Sequence, residues 1–236
     1  MRRTHLAPAL TVAVLLVLAY TATGCGSDDK PASAPARHPA AKVAHKKPPP
    51  DKPATATELK KAVGVAILAA GDVGHGVEMQ DQDKTLDEPT NDVCAKVWSG
   101  DKTRLARTQD FFWKTAKVAP LVVSSEAVAY QPGKGAAALT QIRKAVAGCH
   151  GWTHPQGTMG HIKVIEPPKG SLHGAFSWQG KDDRKGGSDY SYVAVYQNNG
   201  DLLSAVYVWS TSEDQAHDVV GALAPKAAAR LEKALG

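Results

Sequence analysis

Cysteine is scarce in this chain, with three in 236 residues, and methionine and phenylalanine also number three each. Cys25, Cys94 and Cys149 lie far apart with no C-x-x-C spacing, which excludes a thiolate zinc knuckle and a thioredoxin-type redox pair. An excess of one charge is missing from the part that matters. Of 28 Lys/Arg and 23 Asp/Glu, 8 basic and 3 acidic residues precede position 56, so the rest of the chain carries 20 of each. A nucleic-acid footprint needs basic groups clustered on the folded domain, and a formally neutral domain argues against one. Neither a G-x-S-x-G elbow nor H-E-x-x-H occurs, and the glycines Gly71, Gly74 and Gly76 follow a helical pattern where a phosphate loop would open one. The acids Asp81, Asp83, Asp87 and Glu88 lack the D-x-[DN]-x-[DN]-G spacing of a calcium loop. His150 and His154 are four apart, but Gly151 and Pro155 exclude the helix that would align them, so exposed loop histidines are the plainer reading for these and for His161 and His173. Catalytic residues, a metal and a cofactor are therefore not expected.

Also absent is an apolar run of roughly 20 residues, the length a spanning helix needs. The stretch from Ala9 to Tyr20 is shorter, follows Arg2 and Arg3, and ends in the small residues Ala22-Thr23-Gly24 before Cys25. A charged start, a short apolar core and a small-residue boundary make a signal peptide over residues 1–24. Small residues ending in Cys25 resemble the lipobox of bacterial lipoproteins, in which the cysteine becomes the new N-terminus and carries the lipid. Residues 25–56 then read as a stalk: Pro, Ala, Lys and Ser dominate, and so little apolar surface cannot offset chain entropy. The expected location is the extracytoplasmic face of a cell membrane, held by a lipid anchor. In that oxidising setting Cys94 and Cys149 form an even pair and are expected to be bridged.

Residues 57–236 have the length of one domain with its own core. Leu59, Ala62, Val63, Ala66, Ile67 and Ala70 recur at helical spacing until Gly71, and Val77–Met79 reads as a short strand. The segment Cys94–Trp98 reads as a short helix or turn. "APLVVSSEAVAY" from Ala119 to Tyr130 reads as a strand with neither face strongly polar, and Ala136–Ala147 as a helix that delivers Cys149. Strands are expected at 161–165, 174–178, 190–196 and 202–210, the last two joined through Asn199-Gly200 in a type I′ hairpin. Ser212 caps a closing helix that runs to Leu235, with Pro225 predicting a kink or break. The fold class is α+β, an antiparallel β-sheet with packed helices in a single domain with a cleft.

The landmarks "AILAAGDVGHG", "DVCAKVW" and "EAVAYQPGKGAAALTQIRKAVAGCHGW", followed by two strands and a helix, resemble the PknH-like extracellular sensor domains. These occur on mycobacterial receptor kinases and on free-standing actinobacterial lipoproteins. The resemblance implies an α+β domain with a ligand-binding cleft and no established catalysis. Kinase members of that family carry two disulfides, and this domain has cysteines for one.

Five tryptophans, Trp98, Trp113, Trp152, Trp178 and Trp209, outnumber the phenylalanines. Trp98 follows Cys94 and Trp152 follows Cys149, so a bridge would draw those two rings together. The plainer consequence is a hydrophobic plug on the disulfide. The sharper one is an aromatic cleft of Trp98, Trp152 and Tyr130 that binds a glycan or lipid headgroup. A non-catalytic ligand-binding lipoprotein is the reading reached. A cell-envelope wall hydrolase or transferase without a recognisable motif, and a structural partner of an envelope complex, are the alternatives.

Overall fold

A computed structural model describes residues 53–236, except 76, 91–92, 97 and 116–119, and except the side chains of 113–115 and 120. The expected signal peptide, Cys25 with its expected lipid, and the expected stalk up to residue 52 lie outside the described residues.

The first helix, α1 (Ala56–Ala66), starts where the chain can satisfy its free N–H groups. Thr55 Oγ1 accepts from the Glu58 N–H, and the Glu58 carboxylate accepts from the Thr55 N–H at 2.7 Å. It ends earlier than its periodicity predicts: Ile67 is extended, and the buried Leu68 N–H donates to Ser125 Oγ at 3.2 Å. Ala70 opens a second short helix, α2 (Ala70–Val73), which Asp72 ties to Arg230 at 2.5 Å.

Among the described residues eight strands make one antiparallel sheet in the order β1-β2-β3-β8-β7-β6-β5-β4. They are β1 (Met79–Asp83), β2 (Arg104–Thr115), β3 (Pro120–Tyr130), β4 (Trp152–His154), β5 (Gly157–Ile165), β6 (Phe176–Arg184), β7 (Tyr190–Asn199) and β8 (Leu202–Ser210). The chain lays down β1 to β3 and crosses the sheet in α3 (Gly135–Ala147). It then returns from the far edge through β4 to β8, so that β8 pairs with β3. Strands β3, β7 and β8 and helix α3 stand close to where the sequence puts them. Strands β5 and β6 run further than expected, β1 starts at Met79 instead of Val77, and β2 and β4 carry no expectation at all. In β5 the register slips between Gly160 and Lys163, with His161 in the left-handed region at φ 53°. That bulge hides the alternation a regular strand would show. The β7–β8 turn is also a correction: Asn199 still pairs with Leu202, and Gly200 alone takes positive φ, as in a type II′ turn.

Helix α4 (Glu213–Ala234), capped by Ser212 Oγ accepting from the Gln215 N–H, runs through Pro225 without a break. The proline removes one backbone hydrogen bond. Burial of Val220, Leu223, Ala224, Ala227 and Leu231 on both sides of it outweighs that loss. Alternation sorts the sheet. Val193, Val195, Val206 and Val208 meet α4 on one face, with α1 beside it over Ala127, Ala129 and Leu202. Tyr192, Ala194, Tyr196, Leu203, Ala205 and Tyr207 point to the opposite face, where α3 packs through Leu139, Ile142 and Val146. No helix among the described residues is long and apolar enough to cross a membrane.

Candidate functional site: an aromatic cleft on the sheet

The sheet face that carries α3 also holds a cleft of about 460 Å³, within the usual range for small-molecule sites. Its floor comes from strand register. Gly180 of β6 lies opposite Tyr192 of β7, which lies opposite Trp209 of β8. One row along, Trp178, Ala194 and Tyr207 face one another. Small residues beside large ones leave room for the rings to lean together. Trp178 and Tyr192 have centroids 4.7 Å apart at 48°, and Tyr192 and Trp209 are 4.9 Å apart at 59°. Trp152, on edge strand β4, extends the row at 6.3 Å from Trp178. Gly180 lets β5 approach closely, since a Cβ would come within 2.9 Å of Met159 Sδ and 3.1 Å of the Gly160 carbonyl oxygen.

Two ionic networks border the rings. On β2, Arg107 donates through Nε to Glu126 at 2.5 Å, and also bonds Asp83 and the Gln109 side-chain oxygen. Glu126 is 1% exposed and accepts from the Tyr207 hydroxyl at 2.7 Å. Burial raises the Glu126 carboxyl, while Arg107 and the Tyr207 hydroxyl oppose the rise. Burial, reinforced by the charge of Glu126, drives the Tyr207 phenol well above its ordinary value. Asp83 moves the other way, down to about 2, chiefly because the Thr85 N–H donates to it at 2.8 Å and also because Arg107 is beside it. At the opposite border Asp182 accepts from His154 Nε2 at 2.9 Å and from Arg184 at 2.6 Å.

The third wall is the loop before β2, which contributes Glu88, Pro89, Thr90 and Val93. Arg104 staples it, donating to the carbonyl oxygens of Leu86 and Glu88 at 2.7 Å each and to Thr90 Oγ1 at 3.0 Å. The Cys94–Cys149 disulfide, with Cα atoms 5.7 Å apart, fastens the same loop to the end of α3.

Of the three residues expected to line a cleft, Trp152 does. Trp98 and Tyr130 are 7% and 1% exposed, do not border the cleft, and belong to the core cluster beneath α3. Cys149 joins that cluster, with Cys94 and Trp152 packed on its margin, so the bridge does sit on an aromatic plug. The ring nearest Trp152 is Trp178 rather than Trp98. His154 corrects the loop-histidine reading: it is a half-buried strand residue paired with Asp182. Sequence reasoning missed Arg107, Glu126, Asp182, Tyr192 and Tyr207. The available signal was alternation in "RLARTQDFFWKT", where Arg107, Gln109 and Phe111 are two apart and point to one side.

Among solved structures, the extracellular domain of PknH from Mycobacterium tuberculosis is similar to this chain at a TM-score of 0.51 and 11% sequence identity. The likeness covers 75% of this chain and 97% of that domain, and it is a likeness of fold. No protein-family model matches the sequence. No curated protein matches it either.

Proposed function

We propose that this protein is a membrane-anchored extracytoplasmic lipoprotein whose domain holds a ligand in the aromatic cleft without transforming it. The carrying observation is that part of one sheet face left open by α3: a row of leaning aromatic rings bordered by charged groups bound to one another. Among the described residues that line it there is no serine, cysteine or lysine, and the carboxylates of Asp83 and Asp182 are engaged by Arg107 and Arg184. The fold shared with an extracellular domain supports the outward location, and the Ala22-Thr23-Gly24-Cys25 boundary supports the lipid anchor.

A second reading, an envelope enzyme, draws on the His154–Asp182 pair, which has the geometry of a base and its orienting acid. The anchor is tested by metabolic labelling with a fatty acid: Cys25→Ser is expected to lose the label, and equal labelling would end the lipoprotein reading. For the cleft, native mass spectrometry of protein extracted from membranes should detect a bound small molecule that Trp209→Ala releases. Turnover of that molecule abolished by His154→Gln would favour the enzyme instead.

A further inference from the structure

We infer that the cleft is built for a neutral polyhydroxylated ligand, a glycan segment, and against phosphate- or carboxylate-bearing headgroups; this rests on the ligand-binding reading above. Two guanidiniums border the cleft, and the charge of each is already neutralised by a carboxylate. Arg107 is taken by Glu126, Asp83 and Gln109. Arg184 is taken by Asp182 and lies over the Tyr190 ring at 5.6 Å. Glu88 adds a further carboxylate to the lining, so an entering anion meets more carboxylates than cations. Sites for phosphate or carboxylate keep free arginine forks or lysines, and no lysine lines this cleft among the described residues.

A compact cation fits poorly as well. Asp83, Glu126 and Asp182 already have arginine partners. The rings do not close around a point but follow one another from β4 through β6 and β7 to β8. Centroid steps of 6.3, 4.7 and 4.9 Å keep that row within about 16 Å. Trp178 and Tyr192 are 1% and 6% exposed and form the floor, while the half-buried Trp152 and Trp209 at the two ends of the row offer their negative ring faces to the C–H faces of an oligosaccharide, which carry partial positive charge. Planar side chains that are already paired keep edge donors and acceptors for hydroxyl groups. Two donors on cleft residues, Trp178 Nε1 and Arg184 Nε, are buried without an acceptor among the described residues, and a ligand hydroxyl oxygen is an acceptor of the right kind.

The test uses the full chain in detergent and four neutral hexasaccharides: cellohexaose, maltohexaose, laminarihexaose and N-acetylchitohexaose. Inositol hexakisphosphate, water-soluble dihexanoyl phosphatidylglycerol and choline are the charged probes. Binding is read by tryptophan fluorescence, with saturation-transfer NMR for the soluble probes, and near-UV circular dichroism checks each variant's fold. The expected result is saturable binding of at least one hexasaccharide, weakened at least tenfold by Trp209→Ala and less by Trp209→Phe, with no saturable binding of the charged probes. If a charged probe binds and Trp209→Ala weakens it, the glycan assignment falls while the ligand-binding reading stands. A hexasaccharide that binds Trp209→Ala and Trp209→Phe as tightly as wild type lies elsewhere and also overturns the assignment. Where no probe binds, the molecule seen in native mass spectrometry decides. A neutral sugar upholds the assignment, any other class overturns it, and a cleft empty in protein from the membrane overturns both readings.

Discussion

Arg107 carries more of the site than any other side chain, because it neutralises one carboxylate that is fully buried and another that is not. Removing it in Arg107→Ala leaves Glu126 without its cation in a place where burial already raises its carboxyl. The expected loss is about 3–5 kcal/mol in urea denaturation, the usual consequence of orphaning a buried charge. Adding Glu126→Gln should recover part of that loss, since an amide needs no counter-charge. The same network sets an acid limit. Asp83 is held at about 2, below the ordinary 3.8, so its ionised form is favoured by the fold. Its contribution is therefore present above pH 4 and drains away as pH falls towards 2. The stability difference between wild type and Asp83→Asn should shrink over that interval, and urea midpoints at pH 6, 4, 3 and 2 would show a flat difference if Asp83 played no part.

At the scale of elements, the loop between β1 and β2 has little core of its own and depends on two fastenings, Arg104 and the Cys94–Cys149 bridge. It also contains two consecutive non-glycine residues in the left-handed region, Cys94 at φ 59° and Ala95 at φ 52°, so its path is imposed from outside. Replacing both cysteines by alanine is expected to cost about 2–5 kcal/mol. Limited proteolysis should then cut first within residues 84–103. Cleavage there at the wild-type rate would mean that Arg104 holds the loop alone. This element was only half visible beforehand. The pairing of the cysteines follows from their number and compartment, but the arginine that grips three backbone and side-chain oxygens was not, because those oxygens belong to residues 14 to 18 positions away.

For the molecule as a whole, the two faces of one sheet have different duties. The α1/α4 face is closed by aliphatic packing, and the other is shared between α3 and the cleft. Helix α1 is therefore not an appendage. Leu59 and Val63, 1% and 3% exposed, each contribute about 1.5–3 kcal/mol by burial, together a large part of a domain's usual net stability. A fragment of residues 53–236 is expected to unfold cooperatively, whereas one starting at residue 68 should lack a cooperative thermal transition in calorimetry. Equal melting of the two would remove α1 from the core.

Local pattern by itself determined α3, β3, the β7–β8 hairpin, the capped α4 and the α+β class, because helical stripes, alternation and caps are set by neighbours within a few positions. The cysteine pairing and the charge-neutral domain were legible for the same reason: both are counts. Only the tertiary structure decided that β2 is a strand, since its arginines, glutamine and aspartate read as solvent-facing until Glu126, Asp83 and Gln82 are placed against them. It also chose which tryptophans form the cleft. Trp98 and Tyr130 sit near the right landmarks yet fall beneath α3, while Trp152, Trp178, Tyr192 and Trp209 meet because strand order puts β8, β7 and β6 side by side and β4 one strand further, beyond β5. A buried charge and a shared floor are both properties of residues distant in sequence, and no local period encodes which distant residue arrives.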